Sequence, residues 1–366
     1  MLIFNDYLNA GGVEVLVRDF IDAFKDKYDI TVITCRKGND EDMVDGVRYY
    51  VVSPWSDIEF IGGITQNKNT PSFLRHFHNS KINKMHFDIL LCMKSSLMPY
   101  ALKINANRKI AFAHVDYDVC IYQIEELNSY RYYDYVVCVS QKVRDSIIRK
   151  IGDPGNLVVK YNPIPVEKIL RLANEKSDAV LLPEKDPLTT RFIMIGNVRQ
   201  QKGYHLLLEA LDKLNADSQN YNYEVVVIGK KEDFDWEKEY VENISQKLNS
   251  HPNIRYLGYQ RNPYRFLKEA DWFLSTSVHE GYSLSLQEAM LFDLPILATK
   301  VSGVDELIGN DEYGITMDIN AEDIYASMKM VLDNPSLKQK YAEKSKERKA
   351  IISYHDRLDK IEDLFG

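Results

Sequence analysis

Two glutamates, Glu280 and Glu288, are separated by seven residues and flank the start of a predicted helix. The backbone amides of residues 281–284 would lack partners at that helix start, which suits them to an anion such as phosphate. Carboxylates beside an anion repel it, so their expected role is to accept hydrogen bonds from hydroxyls, which a sugar or a ribose supplies. A site for phosphate and polyol together predicts a nucleotide sugar as the ligand.

The same spacing also has a purely structural interpretation. Ser285 and Glu288 form a Ser-x-x-Glu capping box, in which the serine bonds forward and the glutamate reaches back. Glu280 would then be an ordinary solvated loop residue. The spacing by itself leaves both interpretations open.

The elements around the two glutamates indicate a parallel βαβ unit. Apolar residues at 272–276 predict a buried strand, a helix begins at about Ser283, and residues 295–299 predict a second strand. Ligands of such sheets bind at the carboxyl ends of the strands, where the Glu280 loop lies. This edge of the sheet is therefore the expected binding site.

Two further strand ends carry glycines or cations. Gly11 and Gly12 follow the first strand and open a helix, so the backbone there could approach a negatively charged ligand closely. A simple tight turn is the alternative. Segment 196–203 follows another strand and contains Arg199 and Lys202, which could neutralise the charge on a diphosphate leaving group. As isolated surface side chains they would carry no function.

Short apolar runs alternate with helix-length segments through both halves of the chain. The predicted strands are 1–4, 30–35, 47–52, 88–92, 109–113, 135–140, 157–161, 192–196, 225–229, 254–258, 272–276 and 295–299. This alternation predicts an α/β protein with two Rossmann-like domains that face each other across a cleft. We place the domains at 1–165 and 166–351, and segment 352–366 has the pattern of a C-terminal helix.

Composition restricts the class of protein. A chain of 366 residues is longer than a single hydrophobic core usually supports, which indicates two domains. The net charge of −8 argues against a nucleic-acid binder. The four cysteines form no CxxC pair, which predicts reduced thiols. The first residues do not have the pattern of a signal peptide, and no apolar run is long enough to cross a bilayer. We therefore expect a cytoplasmic protein whose membrane contact, if any, is peripheral.

The segment 75–109 is basic although the chain is acidic. Asp88 is its only acid. Its basic residues and histidines are Arg75, His76, His78, Lys81, Lys84, His86, Lys94, Lys103, Arg108 and Lys109. Such an excess of cations predicts attraction to an anionic membrane surface or a lipid pyrophosphate, with a solvated helix face as the equal alternative.

The sequence resembles the GT-B retaining glycosyltransferases called group 1 or family four. The resemblance rests on EGYSL at 280–284, EAM at 288–290, LPI at 294–296 and SGVDE at 302–306, in fixed order and spacing. Lys202-Gly203 and the Gly11-Gly12-x-Glu14 opening also match. The family usually carries an arginine directly after the first glycine of segment 196–203, where this chain has Asn197. Arg199 is expected to take over that role.

The resemblance implies a role for each candidate. Glu288 would bind the ribose hydroxyls, Glu280 would orient the donor sugar, and Arg199 and Lys202 would hold the diphosphate. His114, which follows the strand at 109–113, would face the donor sugar. The predicted catalytic residues are Glu280, His114 and Lys202. The predicted donor-binding residues are Gly12, Arg199, Lys202, Glu280, Gly281, Tyr282, Ser283, Leu284 and Glu288.

The implied reaction moves a hexose-type sugar, with retention at the anomeric carbon, from a nucleotide diphosphate sugar to an acceptor hydroxyl. A UDP-sugar is favoured as donor and would rest on domain 166–351. A sugar or lipid-linked saccharide acceptor would rest on domain 1–165, onto which the C-terminal helix 352–366 would cross back, with Asp116 as an acceptor-side base. No cofactor or metal is expected, because cations and amides of the protein can serve the diphosphate.

The expected setting is bacterial surface polysaccharide or glycoconjugate assembly, in the cytoplasm or at the inner face of the membrane. Two other functions stay open. One is a nucleotide-sugar epimerase of the same fold, which would isomerise the donor without an acceptor. The other is a non-catalytic GT-B subunit that binds or stabilises a partner transferase.

Overall fold

The chain divides into two compact units. The computed structural model describes residues 1–6, 8, 11–35, 43–51, 58–61, 64–67, 84–120, 122–175, 182–232, 235–352 and 356–366. One unit consists of Met1–Pro163 with Asp356–Gly366, and the other of Ile164–His355. The chain passes from the first unit to the second after Pro163, whereas the sequence pattern predicted this boundary after residue 165.

The first unit is built on a parallel sheet. Its strands are β1 (Leu2–Asn5), β2 (Thr31–Thr34), β3 (Arg48–Val51), β6 (Phe87–Cys92), β7 (Ala106–Ala113), β8 (Tyr135–Cys138) and β9 (Leu157–Val159), and β4 (Ile58–Ile61) and β5 (Ile64–Asn67) form a separate antiparallel hairpin. The order in the sheet is β3-β2-β1-β6-β7-β8-β9, and every pairing in it is parallel. Its helices are α1 (Gly12–Phe24), α2 (Met98–Ala101), α3 (Ile124–Ser129) and α4 (Gln141–Ile151).

The second unit has the same design. Its strands are β10 (Thr190–Ile195), β11 (Tyr223–Ile228), β12 (Ile254–Tyr256), β13 (Trp272–Ser275), β14 (Ile296–Thr299) and β15 (Ile315–Met317). They pair in parallel in the order β12-β11-β10-β13-β14-β15. Its helices are α5 (Val166–Asn174), α6 (Tyr204–Asn215), α7 (Lys238–Ser250), α8 (Tyr264–Leu267), α9 (Leu284–Leu291), α10 (Val304–Ile308), α11 (Ala321–Asp333) and α12 (Ser336–Ile351).

Apolar residues at helical or continuous spacing explain these elements. In α1 the buried face contains Leu16, Val17, Phe20, Ile21 and Phe24. Strands β1 and β2 are buried over their whole length, as expected for a parallel sheet that helices cover on both faces. Every strand that the sequence patterns predict is present, and the α/β prediction is confirmed.

The C-terminal helix α13 (Arg357–Glu362) packs on the first unit. The Phe365 ring meets the Phe24 ring edge-on at 5.3 Å between centroids, and Lys27 Nζ lies 2.7 Å from Glu362 Oε2. The helix is shorter than the predicted segment 352–366. Helix α12 ends before that segment, and Ile352 packs in an apolar cluster of the second unit.

Candidate active site

The order of the strands in the second unit creates a topological switch point. The chain runs from β10 outward through β11 and β12, then returns to β13 on the other side of β10 and continues through β14 to β15. The loops after β10 and β13 therefore leave the same sheet edge in opposite directions. In open α/β sheets this is where ligands bind. The loop after β10 carries Lys202, and the loop after β13 carries Glu280.

Lys202 and Glu280 meet at this edge although 78 positions separate them in the sequence. Lys202 Nζ donates to Glu280 Oε1 at 2.5 Å. The side chains are largely buried, with 18% of the lysine and 11% of the glutamate exposed. Ser277 Oγ donates to the same carboxylate oxygen at 2.8 Å. The structure thus brings together two of the three predicted catalytic residues.

The environment of Glu280 favours its ionised form. Burial acts to raise the pKa of this carboxyl, but the charge of Lys202 and the hydrogen bonds from Lys202 and Ser277 outweigh burial, so the pKa is lowered. The pKa of the neighbouring His279 is lowered mainly by burial. At neutral pH the site therefore presents an ion pair beside a neutral imidazole.

Backbone contacts lock the two loops to each other. Gly203 has a positive φ of 65°, and a Cβ at this position would lie 1.9 Å from the carbonyl oxygen of Thr276. Thr276 Oγ1 donates to the Lys202 carbonyl at 2.9 Å, and Val278 N donates to the Gln201 carbonyl at 2.8 Å. The glycine permits the close approach that these bonds need. The ion pair therefore rests on a fixed backbone rather than on two independent loops.

Glu288 is not part of the capping box that its spacing allows. Ser283 is the N-cap of α9, with extended backbone, and its hydroxyl accepts from Leu286 N at 3.4 Å. Ser285 lies inside the helix, so the capping-box interpretation is wrong. Glu288 is 8% exposed, and its Oε1 accepts a hydrogen bond from Tyr264 OH at 3.3 Å. Its carboxylate is thus held by a side chain of α8.

The other predicted donor-binding residues of the loop form the N-terminus of α9. Tyr282 and Ser283 are buried, and Leu284 is the first helical residue. Gly281 is closely approached by Gly303, whose φ is 77° and whose added Cβ would lie 2.7 Å from the Gly281 carbonyl oxygen. The first amides of a helix have no intrahelical acceptor, so this turn has the donors that an anion requires.

Arg199 and Asn197 differ in their surroundings. Arg199 Nε lies 3.7 Å from Glu237 Oε2 on the helical turn before α7. Asn197, at the family's arginine position, donates from Nδ2 to Glu232 Oε1 at 2.5 Å. The end of β10 is therefore linked to Glu232 through a neutral side chain. The role of Arg199 in binding diphosphate stays a prediction.

The remaining predicted site residues, His114 and Gly12, belong to the first unit. The His114 ring stacks on Phe112, and its Nε2 is shielded from solvent without a hydrogen-bond partner among the described residues. Burial, with the charge of Lys94 as a smaller cause, lowers the pKa of His114 to about 3. Gly12 is the first residue of α1, and Asn9 and Ala10 lie outside the described residues.

A second lysine and glutamate pair lies at the strand ends of the first unit. Lys94 Nζ is 3.3 Å from Glu14 Oε1, and 6% of the glutamate side chain is exposed. A Cβ on Gly11 would lie 2.1 Å from Glu14 Oε2, so a larger residue there would require the Glu14 side chain to move. Asp116 is buried, and its Oδ1 accepts from Asp118 N at 2.9 Å, so it organises the turn after β7.

Several of these partners were not predicted from the sequence. Tyr264, Lys94 and Glu232 carry no local motif of their own, and the Gly11-Gly12-x-Glu14 motif did not predict that Glu14 pairs with Lys94. Their common signal is a polar residue directly after a predicted strand or in a short helix nearby. Such signals become meaningful only when the order of the strands is known.

Three cations of the basic segment contact other residues of the protein. Lys94 pairs with Glu14, Lys109 Nζ donates to the Leu102 carbonyl at 2.6 Å, and Arg108 donates to the Gly366 carbonyl at 2.6 Å. Arg75, His76, His78 and Lys81 lie outside the described residues. Attraction to an anionic surface stays a prediction.

No helix among the residues that the structure describes is long and apolar enough to cross a membrane. Within the same residues, no three His, Cys, Asp or Glu side chains converge as a metal-binding group. All four cysteines are described, and none of them forms a disulfide. Burial raises the pKa of Cys92 and of Cys138 to about 12, so neither is a reactive thiolate at neutral pH.

Comparison with known proteins identifies the class of protein. The family model of glycosyl transferases group 1 matches residues 174–348, and that of glycosyltransferase family 4 matches residues 10–168. The crystal structure of Anabaena Alr3699/HepE in complex with UDP and glucose is similar in fold, with a TM-score of 0.74, 15% sequence identity and coverage of 99% of this chain and 98% of that chain. The fold is therefore GT-B, and the chain belongs to the group 1 glycosyltransferase family.

Two curated bacterial relatives are similar in sequence. The N-acetylgalactosamine-N,N'-diacetylbacillosaminyl-diphospho-undecaprenol 4-alpha-N-acetylgalactosaminyltransferase of Campylobacter jejuni is 27% identical over 216 residues, 58% of this chain and 54% of the relative. The UDP-Gal:alpha-D-GlcNAc-diphosphoundecaprenol alpha-1,3-galactosyltransferase of Escherichia coli is 22% identical over 236 residues, 63% of this chain and 59% of the relative. The chain thus matches little more than half the length of these relatives.

Proposed function

We propose that this protein is a glycosyltransferase that moves a hexose-type sugar from a nucleotide diphosphate sugar to an acceptor hydroxyl, with retention at the anomeric carbon. The observation that carries the proposal is the Lys202–Glu280 ion pair at the switch point between β10 and β13. A cation and a carboxylate at one sheet edge, next to a helix N-terminus, match the phosphate and hydroxyl groups of such a donor.

Each residue at this edge has a role in the proposal. Lys202 neutralises charge on the diphosphate as it leaves, and Arg199 assists it. Glu280 accepts hydrogen bonds from the donor sugar, and Glu288, held by Tyr264, accepts them from the ribose. The amides at the start of α9 bind phosphate oxygens, and those near Gly12 contribute from the first unit. Neutral His114 exchanges a hydrogen bond with a sugar hydroxyl.

The proposed chemistry is a front-face displacement. The bond between the anomeric carbon and the diphosphate oxygen breaks, and its electron pair goes to the diphosphate. The acceptor oxygen forms the new bond on the same face, and its proton goes to a departing phosphate oxygen. Positive charge near that oxygen lowers the barrier, because charge develops there in the transition state. The proposal uses no metal and no carboxylate nucleophile.

The proposed setting is assembly of a bacterial surface polysaccharide or glycoconjugate. The names of both bacterial relatives include a saccharide linked to diphosphoundecaprenol, which supports a saccharide or lipid-linked acceptor. The galactosyltransferase also has a UDP-sugar in its name, and the Anabaena structure contains UDP, which supports a UDP-sugar as donor. We further propose a cytoplasmic location, with peripheral contact at the inner face of the membrane.

The test is a thermal-shift screen of UDP-, GDP- and ADP-sugars, followed by turnover with saccharide acceptors and NMR of the anomeric product. We expect one donor to stabilise the protein and the product to retain the anomeric configuration. Glu288→Ala should lose most of the turnover, whereas Glu242→Ala, an exposed glutamate of α7, should not. Donor isomerisation without acceptor would indicate an epimerase. Binding of no sugar nucleotide would indicate a non-catalytic subunit.

A further inference from the structure

In the second unit another lysine and glutamate pair, Lys230 and Glu232, flanks the end of β10 on the side opposite to Lys202 and Glu280. Beyond Ile228 the chain continues alongside segment 196–198: Val198 N donates to the Lys230 carbonyl at 2.8 Å, and Val198 forms a parallel bridge with Lys231. A Cβ on Gly229 would lie 1.9 Å from the Gly196 carbonyl oxygen, so the two segments are in close contact. Residues 229–232 are therefore fixed at the same sheet edge as the candidate site.

Asn197 connects this segment to the end of β10. Its Nδ2 donates to Glu232 Oε1 at 2.5 Å, and its Oδ1 accepts from Lys230 N at 3.3 Å. The Glu232 side chain is 4% exposed, and its Oε2 lies 3.7 Å from Lys230 Nζ. The neutral asparagine thus holds a buried carboxylate, and that carboxylate holds an ammonium group at the strand end.

The Lys202–Glu280 and Lys230–Glu232 pairs each place one lysine and one glutamate beside the Gly196–Asn197 segment. Lys202 covers Gly196, because a Cβ there would lie 3.1 Å from its Cδ and Cε. Each glutamate also has a neutral donor, Ser277 for Glu280 and Asn197 for Glu232. A lysine that turns toward an anion would therefore not leave its glutamate without a hydrogen bond. At 3.7 Å the Lys230 contact is an ion pair and not a hydrogen bond, so it is the easier of the two to give up.

We propose that Lys230 is an additional cation for the diphosphate of the donor, on the β11 side of β10. This inference rests on the proposed function. Lys202 is paired with Glu280 and Arg199 lies beside Glu237, so the two together offset only part of the charge of a diphosphate, and the family's arginine is absent at Asn197. Lys230 has 19% of its side chain exposed and a flexible four-carbon stem, which allows its ammonium to reach a phosphate oxygen.

The test is isothermal titration of the full chain with UDP, GDP and ADP, and then with the nucleoside and monophosphate of the tightest of the three. Lys230→Met should weaken binding of the diphosphate by roughly 10- to 100-fold, the range for a hydrogen bond to a charged group. It should leave binding of the nucleoside unchanged. Lys230→Arg should retain most of the affinity. Lys231→Met is the matched control, because Lys231 is the exposed neighbour, and it should bind like the wild type.

Unchanged affinity of Lys230→Met for the diphosphate would overturn the inference. An equal loss for diphosphate and nucleoside would also overturn it, because that result indicates a general distortion of the site. Circular dichroism and thermal melting of each variant confirm that it is folded. If the wild type binds none of the three nucleoside diphosphates, the proposed function itself fails, and the role of Lys230 fails with it.

Discussion

The Lys202–Glu280 pair allows a quantitative test in the ligand-free protein. Lys202→Met leaves the Glu280 carboxylate largely buried, with Ser277 as its one remaining hydrogen-bond donor among the described residues, and we expect a loss of about 3 kcal/mol in the free energy of unfolding at pH 7. Glu280→Gln leaves an ammonium that is 18% exposed and can be hydrated, so about 1 kcal/mol is expected. The double variant should cost less than the sum of the single changes, with a coupling of about 2 kcal/mol.

The assay is urea denaturation of the wild type, the two single variants and the double variant at pH 7 and pH 4.5, with unfolding monitored by intrinsic fluorescence. Without Lys202, burial is the main influence left on Glu280, and it raises the pKa of the folded carboxyl. The cost of Lys202→Met is then present above the unfolded pKa and falls as the pH is lowered and the carboxyl is protonated. Additive single changes, or a cost that does not fall at pH 4.5, would refute the ion pair as the cause.

Three further predictions concern the backbone and two buried titratable groups. Gly203→Ala should cost about 3 kcal/mol because its Cβ meets the Thr276 carbonyl, whereas Gly258→Ala, with positive φ but open space, should cost about 1 kcal/mol in the same urea titration. Burial lowers the pKa of His114 in the folded protein to about 3, so below pH 6.5 the unfolded chain binds a proton that the folded protein does not, and stability falls. Between pH 7 and pH 5 the wild type should lose about 2 kcal/mol more of its free energy of unfolding than His114→Gln. Equal losses in the two proteins would contradict this prediction. Burial raises the pKa of Glu126 in the folded protein to about 7, so the stability of the wild type falls as the pH rises from 4.5 through 7. Between pH 4.5 and pH 8 the free energy of unfolding of Glu126→Gln should gain about 3 kcal/mol relative to that of the wild type. A difference in stability that does not change with pH would contradict this prediction.

The sheets could be predicted because buried parallel strands are continuous apolar runs. Runs such as 225–229 and 272–276 differ from their flanks in composition alone. Strand β15 was missed because its residues, Ile315–Met317, include a threonine and form no continuous apolar run, and it follows a turn in which Asn310 and Asp311 have positive φ. The hairpin β4–β5 was also missed, because its strands, with the sequences IEFI and ITQN, are interrupted by polar residues and form no continuous apolar run.

The site could be predicted only in part, for a physical reason. Motifs located Glu280 and Lys202, but their contact depends on β10 lying beside β13, which the local sequence does not encode. The choice between Ser283 and Ser285 as N-cap depends on the extended backbone at Ser283, and both serines suit the position. Lys230 and Glu232 could be recognised as part of the site only from their hydrogen bonds to Asn197, at the end of the neighbouring strand.

The return of α13 to the first unit has a consequence for folding during synthesis. The ribosome completes the whole of Ile164–His355 before it makes Asp356–Gly366, whose Ile361, Leu364 and Phe365 belong to the core of the first unit. Until those residues emerge, the nascent first unit exposes the apolar surface around Phe24. The half of the protein that is translated first is therefore the half that matures last, and chaperones have their longest opportunity to bind there.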